Sequence, residues 1–101
     1  MYRVQKRNGT FMDFDIHKIA NAMTKAFEAC DQPIDESIVE MLALKVTSDF
    51  APKVKDNTIS VEDIQDSVES ILAQAGYMNV AKAYILYREN HTKARNAGED
   101  M

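Results

Sequence analysis

From Ile16 to Tyr87 the apolar residues of this chain recur at three- and four-residue spacing in four successive segments, each bounded by residues that start or stop helices. A chain punctuated in this way buries its apolar stripes by laying helices against one another. The first segment carries Ile16, Ile19, Ala20, Met23, Ala26, Phe27 and Cys30, with Asp15 placed as N-cap and Pro33 marking the break. The second starts behind Asp35 as N-cap, carries Ile38, Met41, Leu42 and Val46, and stops before Pro52; Ile34 and Val39 stand where a hydrophobic staple would close its first turn. Ala51 to Thr58 reads as a polar loop. Ser60 and Asp63 then fit a capping box, Ile59 and Ile64 a second staple, and Ile64, Val68, Ile71 and Leu72 a third apolar face that ends at Gly76. The fourth segment runs from Asn79 to Arg95. Val80, Ala81, Ala83, Tyr84, Ile85, Leu86 and Tyr87 cover most of its circumference, which predicts the central helix of the group.

Ahead of the helices, residues 2–14 alternate. Tyr2, Val4 and Lys6 face one way and Arg3, Gln5 and Arg7 the other; Phe11, Met12 and Phe14 resume the extended run. Asn8-Gly9 between them predicts a type I′ turn, with positive φ at both residues. A lone hairpin is marginal in water, so this one must lie on the helices. The expected fold is mainly α: a four-helix bundle capped at one end by an N-terminal β-hairpin. One domain fills residues 1–95, and the polar stretch 96–101 is expected to be a flexible tail.

With 46% apolar and 28% charged residues, the 101-residue composition is ordinary for a globular domain. No apolar run approaches the ~20 residues of a membrane span, and Met1 to Lys6 lacks the apolar stretch of a secretory signal. The expectation is a soluble, cytoplasmic domain without membrane contact. The single cysteine, Cys30, excludes an intrachain disulfide and reads as a small core residue. Charge is uneven: residues 1–25 hold five Lys/Arg against Asp13 and Asp15, a local +3, while the whole chain is −4 and the remainder therefore −7. An acidic domain with one basic cluster suits a small anionic ligand better than nucleic acid.

Catalytic patterns are scarce. There is no glycine-rich phosphate loop and no metal-ligand spacing. His17 and His91 stand far apart and read as surface residues, and Glu62-Asp63 falls in a first helical turn, where negative charge complements the helix dipole. What remains is Val4-Gln5-Lys6-Arg7-Asn8-Gly9-Thr10 followed by Phe14-Asp15-Ile16-His17-Lys18-Ile19. This pattern puts two cations at a hairpin tip and a third one turn into the next helix, beside free backbone N–H groups. Arg engages two phosphate oxygens at once and Lys acts as a point charge, so the group suits a polyphosphate.

Four blocks, in order, carry a resemblance. Val4-x-Lys6-Arg7-Asn8-Gly9, Phe14-Asp15-x-x-Lys18-Ile19, Ile64-Gln65-Asp66-x-Val68-Glu69 and Ala81-x-Ala83-Tyr84-x-x-Tyr87-Arg88 together resemble the ATP-cone family over residues 3 to 90. That domain stands at the N-termini of many ribonucleotide reductases and in the transcriptional repressor of their genes. The closing Tyr84-Ile85-Leu86-Tyr87-Arg88 is most similar to the anaerobic ribonucleoside-triphosphate reductases.

The resemblance implies ATP or dATP, with Mg2+, bound beneath the hairpin. Carried over by position, Val4 touches the base or sugar, Lys6 and Arg7 hold phosphates, and Asp15 and Lys18 line the pocket from the first helix. Val61 and Gln65 contribute from the third helix and Arg88 from the fourth. Met12 stands where relatives often carry Glu, and Val61 replaces a small polar residue of some members, so the base and ribose contacts depart from the common pattern. The implied function is regulatory: ATP favours an active assembly of a ribonucleotide reductase and dATP an inactive one, with other cones or the catalytic domain as partners. Neither a glycyl-radical motif nor a pair of redox cysteines is present, so the reductase chemistry does not reside here; the chain is expected to be a fragment of a larger enzyme or a free-standing sensor. Two rival readings follow from the same family. A DNA-associated regulator of reductase genes would carry a four-cysteine zinc ribbon, which this sequence lacks. A degenerate cone serving only protein interaction would have no reason to keep Lys6, Arg7 and Lys18 together.

Overall fold

The computed structural model describes residues 2–99, with side chains to Arg88. Its helices form where the caps place them. Asp15 is extended (φ −133°) and its Oδ1 accepts the His17 N–H at 2.9 Å, opening α1 (Ile16–Ala29). Asp35 does the same for Ser37 N–H at 3.0 Å and opens α2 (Glu36–Phe50). Ser60 Oγ accepts the Asp63 N–H at 3.1 Å at the start of α3 (Val61–Gln74). At its end, Gly76 takes φ +92°, and the N–H groups of Gly76 and Tyr77 return to the carbonyls of Ala73 and Leu72. That is a Schellman closure, and it satisfies carbonyls that a helix end otherwise leaves bare. α4 (Met78–Glu99) follows at once. It runs beyond residue 95; of the tail expected over 96–101, residues 100–101 lie outside the described ones, as do the side chains of the rest and of His91.

The helices form a ring in which α1 and α3 each pack against both α2 and α4. Met23 and Phe27, Leu42 and Val46, Val68 and Leu72, and Val80 fill the centre from the four sides. No helix is central. The expectation for α4 is corrected here: Ile85 and Leu86 are 38% and 61% exposed, because among the described residues it is Val80, Ala81 and Tyr84 that turn fully inward, with Ala83 and Tyr87 partly buried beside them. Met41 of α2, expected in the core, is likewise 47% exposed. Cys30 caps α1 half-buried, its Sγ 3.3 Å from the Asn79 carbonyl. Among the described residues no helix is long and apolar enough to cross a membrane.

The hairpin is present as β1 (Arg3–Gln5) and β2 (Phe11–Asp13), paired antiparallel with Val4 opposite Met12. It is not alone. The segment expected to be a polar loop makes a 3-10 turn (Ala51–Lys53) and then β3 (Thr58–Ser60), which pairs parallel with β1 through Val4 and Ile59. The sheet order is β2-β1-β3, so β1 is the middle strand. Tyr2, Phe14 and Phe50 pack edge to face, with centroids 5.5–6.0 Å apart, and fasten the hairpin base to the end of α2.

The turn chemistry is also redistributed. At the hairpin tip only Gly9 has positive φ (+87°); Asn8 does not. Gly9 N–H donates to Lys6 C=O and Lys6 N–H to Thr10 C=O, so Arg7-Asn8-Gly9 is a three-residue loop: a type I turn followed by a left-handed glycine. The consecutive positive-φ pair of a type I′ turn occurs instead at Asp56-Asn57 (+52° and +63°), between the reciprocal hydrogen bonds of Lys55 and Thr58. Asp and Asn are the side chains that tolerate that conformation without glycine.

A Cβ at Gly9 would meet nothing within 4 Å, so a substitution there acts through backbone strain alone. Gly9→Val is expected to lower unfolding free energy by about 1–2 kcal/mol in urea titration, with an unchanged m-value. A midpoint equal to wild type would show that the loop accepts a β-branched residue and that the left-handed glycine is dispensable.

Candidate functional site

Where the hairpin crosses the bundle, β1, β2, α1, α3 and α4 leave a cavity of about 380 Å³. Spaces of a few hundred Å³ are the size that holds small molecules. Each wall follows from local periodicity. Val4 is buried because strand alternation turns it inward, and Lys6 follows two residues on along the same strand direction. On α1, Asp15, Lys18 and Ala22 share one face at helical spacing; on α3, Val61, Ile64, Gln65 and Val68 do the same. Tyr84 and Tyr87 close the cavity from α4.

The lining is divided by chemistry. Val4, Ile64, Val68, Tyr84 and Tyr87 supply apolar and aromatic surface, while Asp13, Asp15, Lys18 and Gln65 supply charge and hydrogen bonding. Asp15 is already oriented by its capping bond to His17 N–H. The Lys18 ammonium lies 4.0 Å from Met12 Sδ, and among the described residues neither Lys18 nor Lys6 forms an ion pair. Burial pushes the Tyr84 hydroxyl above the ordinary tyrosine range; the nearby Arg88 charge pulls it down and does not prevail. Tyr84 therefore faces the cavity as a neutral phenol. The Lys25 ammonium stands 5.8 Å from the Tyr87 ring centroid, a cation over an aromatic face.

Two arginines are engaged. Arg7, at the hairpin tip, places Nε 3.3 Å from Glu62 Oε1 and donates from Nη2 to Gln65 Oε1 at 3.1 Å. Arg88 donates from Nη1 to Asp66 Oδ1 at 3.0 Å and Glu69 Oε1 at 2.6 Å, joining α4 to α3. Its burial opposes the charge, but the hydrogen bonds to Glu69 and then Asp66 outweigh that and raise its pKa.

Of the residues singled out in the sequence, the structure brings Val4, Asp15, Lys18, Val61 and Gln65 onto one cavity wall or another. Lys6 and Arg7 stand on the hairpin tip, Arg7 tied to Gln65 at the cavity edge. Arg88 does not line the cavity. Tyr84 and Tyr87 do, and sequence reasoning had assigned them only to the apolar face of the helix. Their i, i+3 spacing and polar tips were the available signal, and nothing in helical periodicity separates such a pair from core.

Among known protein families, the ATP cone domain matches residues 2–93. The chain belongs to the ATP cone family. Its relatives include the vitamin B12-dependent ribonucleoside-diphosphate reductase of Mycobacterium tuberculosis strain H37Rv, 38% identical over 94% of this chain and 13% of that protein. The alpha subunit of ribonucleoside-diphosphate reductase from Chlamydia pneumoniae is 40% identical over 89% of this chain and 9% of its own length. The anaerobic ribonucleoside-triphosphate reductase of Haemophilus influenzae, of the class the sequence resembled, is 33% identical over 93% of this chain and 13% of its own. This ATP cone thus spans about an eighth or less of the curated relatives it matches. An ATP cone is a regulatory domain.

Arg88→Ala removes both hydrogen bonds to α3 and leaves two carboxylates facing one another. Asp66 is half-exposed, so the loss is expected to be modest, about 1–2 kcal/mol in chemical denaturation. Stability within 0.5 kcal/mol of wild type, a figure typical of featureless surface sites, would show that the arginine does not hold α4 in place.

Proposed function

We propose that this chain binds ATP or dATP in the hairpin cavity and, through that, exerts allosteric control over a ribonucleotide reductase. The supporting observation is a single space that joins an apolar, aromatic interior to Lys18, which forms no ion pair among the described residues. An adenine nucleotide has the same two halves. The adenosine would lie against Val4, Ile64, Tyr84 and Tyr87, with Val61 and Gln65 at its edge, and the phosphates toward Lys6, Arg7 and Lys18. Asp13 and Asp15 would repel a bare polyphosphate and suit one that carries Mg2+, whose preferred ligands are hard oxygens. Arg88 would act from behind, by keeping the helix that bears the tyrosines against α3. No step here makes or breaks a covalent bond; the chemistry belongs to the parent enzyme.

ATP and dATP differ by one hydroxyl, so a switch requires two states that the ligands stabilise unequally. The partners through which such states would be read are other cones or the catalytic domain of the reductase. Lys6→Ala and Lys18→Ala are each expected to weaken ATP binding by about 1.5–3 kcal/mol in calorimetric titration, with little change in thermal stability. Both variants binding like wild type would move the site away from the hairpin. GTP, with a different ring edge, is the control for recognition of the base.

Regulation by assembly has its own measurement. Sedimentation of the chain with saturating ATP, with saturating dATP and with neither is expected to give different association states for the two ligands, with a coupling of about 1–3 kcal/mol. The same species in all three samples would mean that the ligand acts through another part of the reductase.

A further inference from the structure

Arg7 leaves the hairpin loop and reaches the start of α3, where one guanidinium meets two side chains of different standing, Glu62 in the first turn and Gln65 one turn on. Gln65, which accepts from Nη2, lines the cavity; Glu62, beside Nε, does not. One edge of the guanidinium is thus turned to the ligand wall while the other lies against a carboxylate outside it. We propose that Glu62 is a positioning residue that sets nucleotide affinity by holding Arg7 against α3, a latch that a bound polyphosphate must displace. The inference rests on the reading that Arg7 contacts phosphates.

Two physical points carry it. A carboxylate and a phosphate offer the same kind of oxygen acceptors to the planar fork of arginine, so they compete for it directly. The Glu62 side chain is 59% exposed and that of Arg7 30%, so the pair is solvated and screened and can open at low cost. The contrast with Arg88 is informative: its two acids hold it at 2.6 and 3.0 Å with only 19% exposure, a contact built to stay closed. Glu62 also lies in the first turn of α3, where the helix dipole favours its negative charge even after Arg7 departs. Release of Arg7 therefore does not strand the carboxylate.

The test is a double-mutant cycle read by calorimetric titration of ATP, at low ionic strength, into wild type, Glu62→Gln, Arg7→Ala and the double variant. Thermal unfolding of each confirms that it is folded. Glu62→Gln keeps the size of the side chain and removes its charge. It is expected to tighten ATP binding about two- to five-fold, the range that an exposed ion pair supports. Arg7→Ala is expected to weaken binding, and adding Glu62→Gln to it should change nothing further. An equal gain in both backgrounds would mean that Glu62 merely repels phosphate through space, and would overturn the latch. So would an unchanged or weaker affinity in Glu62→Gln, or an Arg7→Ala variant that binds like wild type. A wild-type chain that binds no ATP would overturn the proposed function and the latch together.

Discussion

The parallel pairing of β1 with β3 is the contact on which the site depends. A two-stranded hairpin does not hold its shape in water, and β1–β2 without β3 would be fixed by its aromatic base and the solvated Arg7 contacts to α3. β3 supplies the missing edge, placing Ile59 beside Val4, both buried. The residue that follows, Ser60, belongs to β3 and is also the N-cap of α3. One short segment thus sets the height of the hairpin and the start of the helix opposite it. The hairpin wall and the α3 wall of the cavity are thus tied to each other through that shared residue.

The helix ring explains why a cavity lies where the hairpin meets the bundle. Four helices packed chiefly with their sequence neighbours and across the α1–α4 seam leave the bundle ends for other elements, and β1 and β2 lie against one of them. Phe14 and Tyr2 are spent on α2 through Phe50, which draws the hairpin base toward one corner. The corner between α1, α3 and α4 is then lined by Ile19, Ile64 and Val68 and by Tyr84 and Tyr87 from the side. A small residue such as Ala22 lines the wall without filling the space.

Electrostatics divide the cations into two groups. α3 carries these acids along one face: Glu62 at its start meets Arg7 of the hairpin, and Asp66 and Glu69 farther along meet Arg88 of α4. The acidic surplus beyond residue 25 is therefore in part a partner for the basic start of the chain, and not only a solvated surface. Lys6 and Lys18 stand outside both clusters among the described residues. A basic segment in which Arg7 is paired with a carboxylate while Lys6 and Lys18, among the described residues, are not is a different object from the uniform positive patch that a net-charge count suggests.

Much of the scaffold was legible from local rules. Asp15, Asp35, Ser60 and Gly76 each act within a few residues of themselves, so their roles as caps and stop survive any packing arrangement. Alternation likewise determined which face of β1 is buried, and likeness to the ATP cones picked out five residues that share the cavity lining. What local rules could not reach was set by partners distant in sequence. β3 is three residues long and is a strand only because β1 lies beside it, and Asp56-Asn57 makes its tight turn without the glycine that would have announced it. The glycine that did announce a turn, Gly9, serves a longer loop. α4 is apolar over most of its circumference, yet the ring geometry buries one side of it and leaves Ile85 and Leu86 in solvent. The cavity itself, and the pairing of Arg7 with Glu62 across fifty-five positions of chain, exist only once five elements meet. Short-range hydrogen bonding and periodicity are written residue by residue; burial, pairing and empty space are properties of surfaces that only the folded chain brings together.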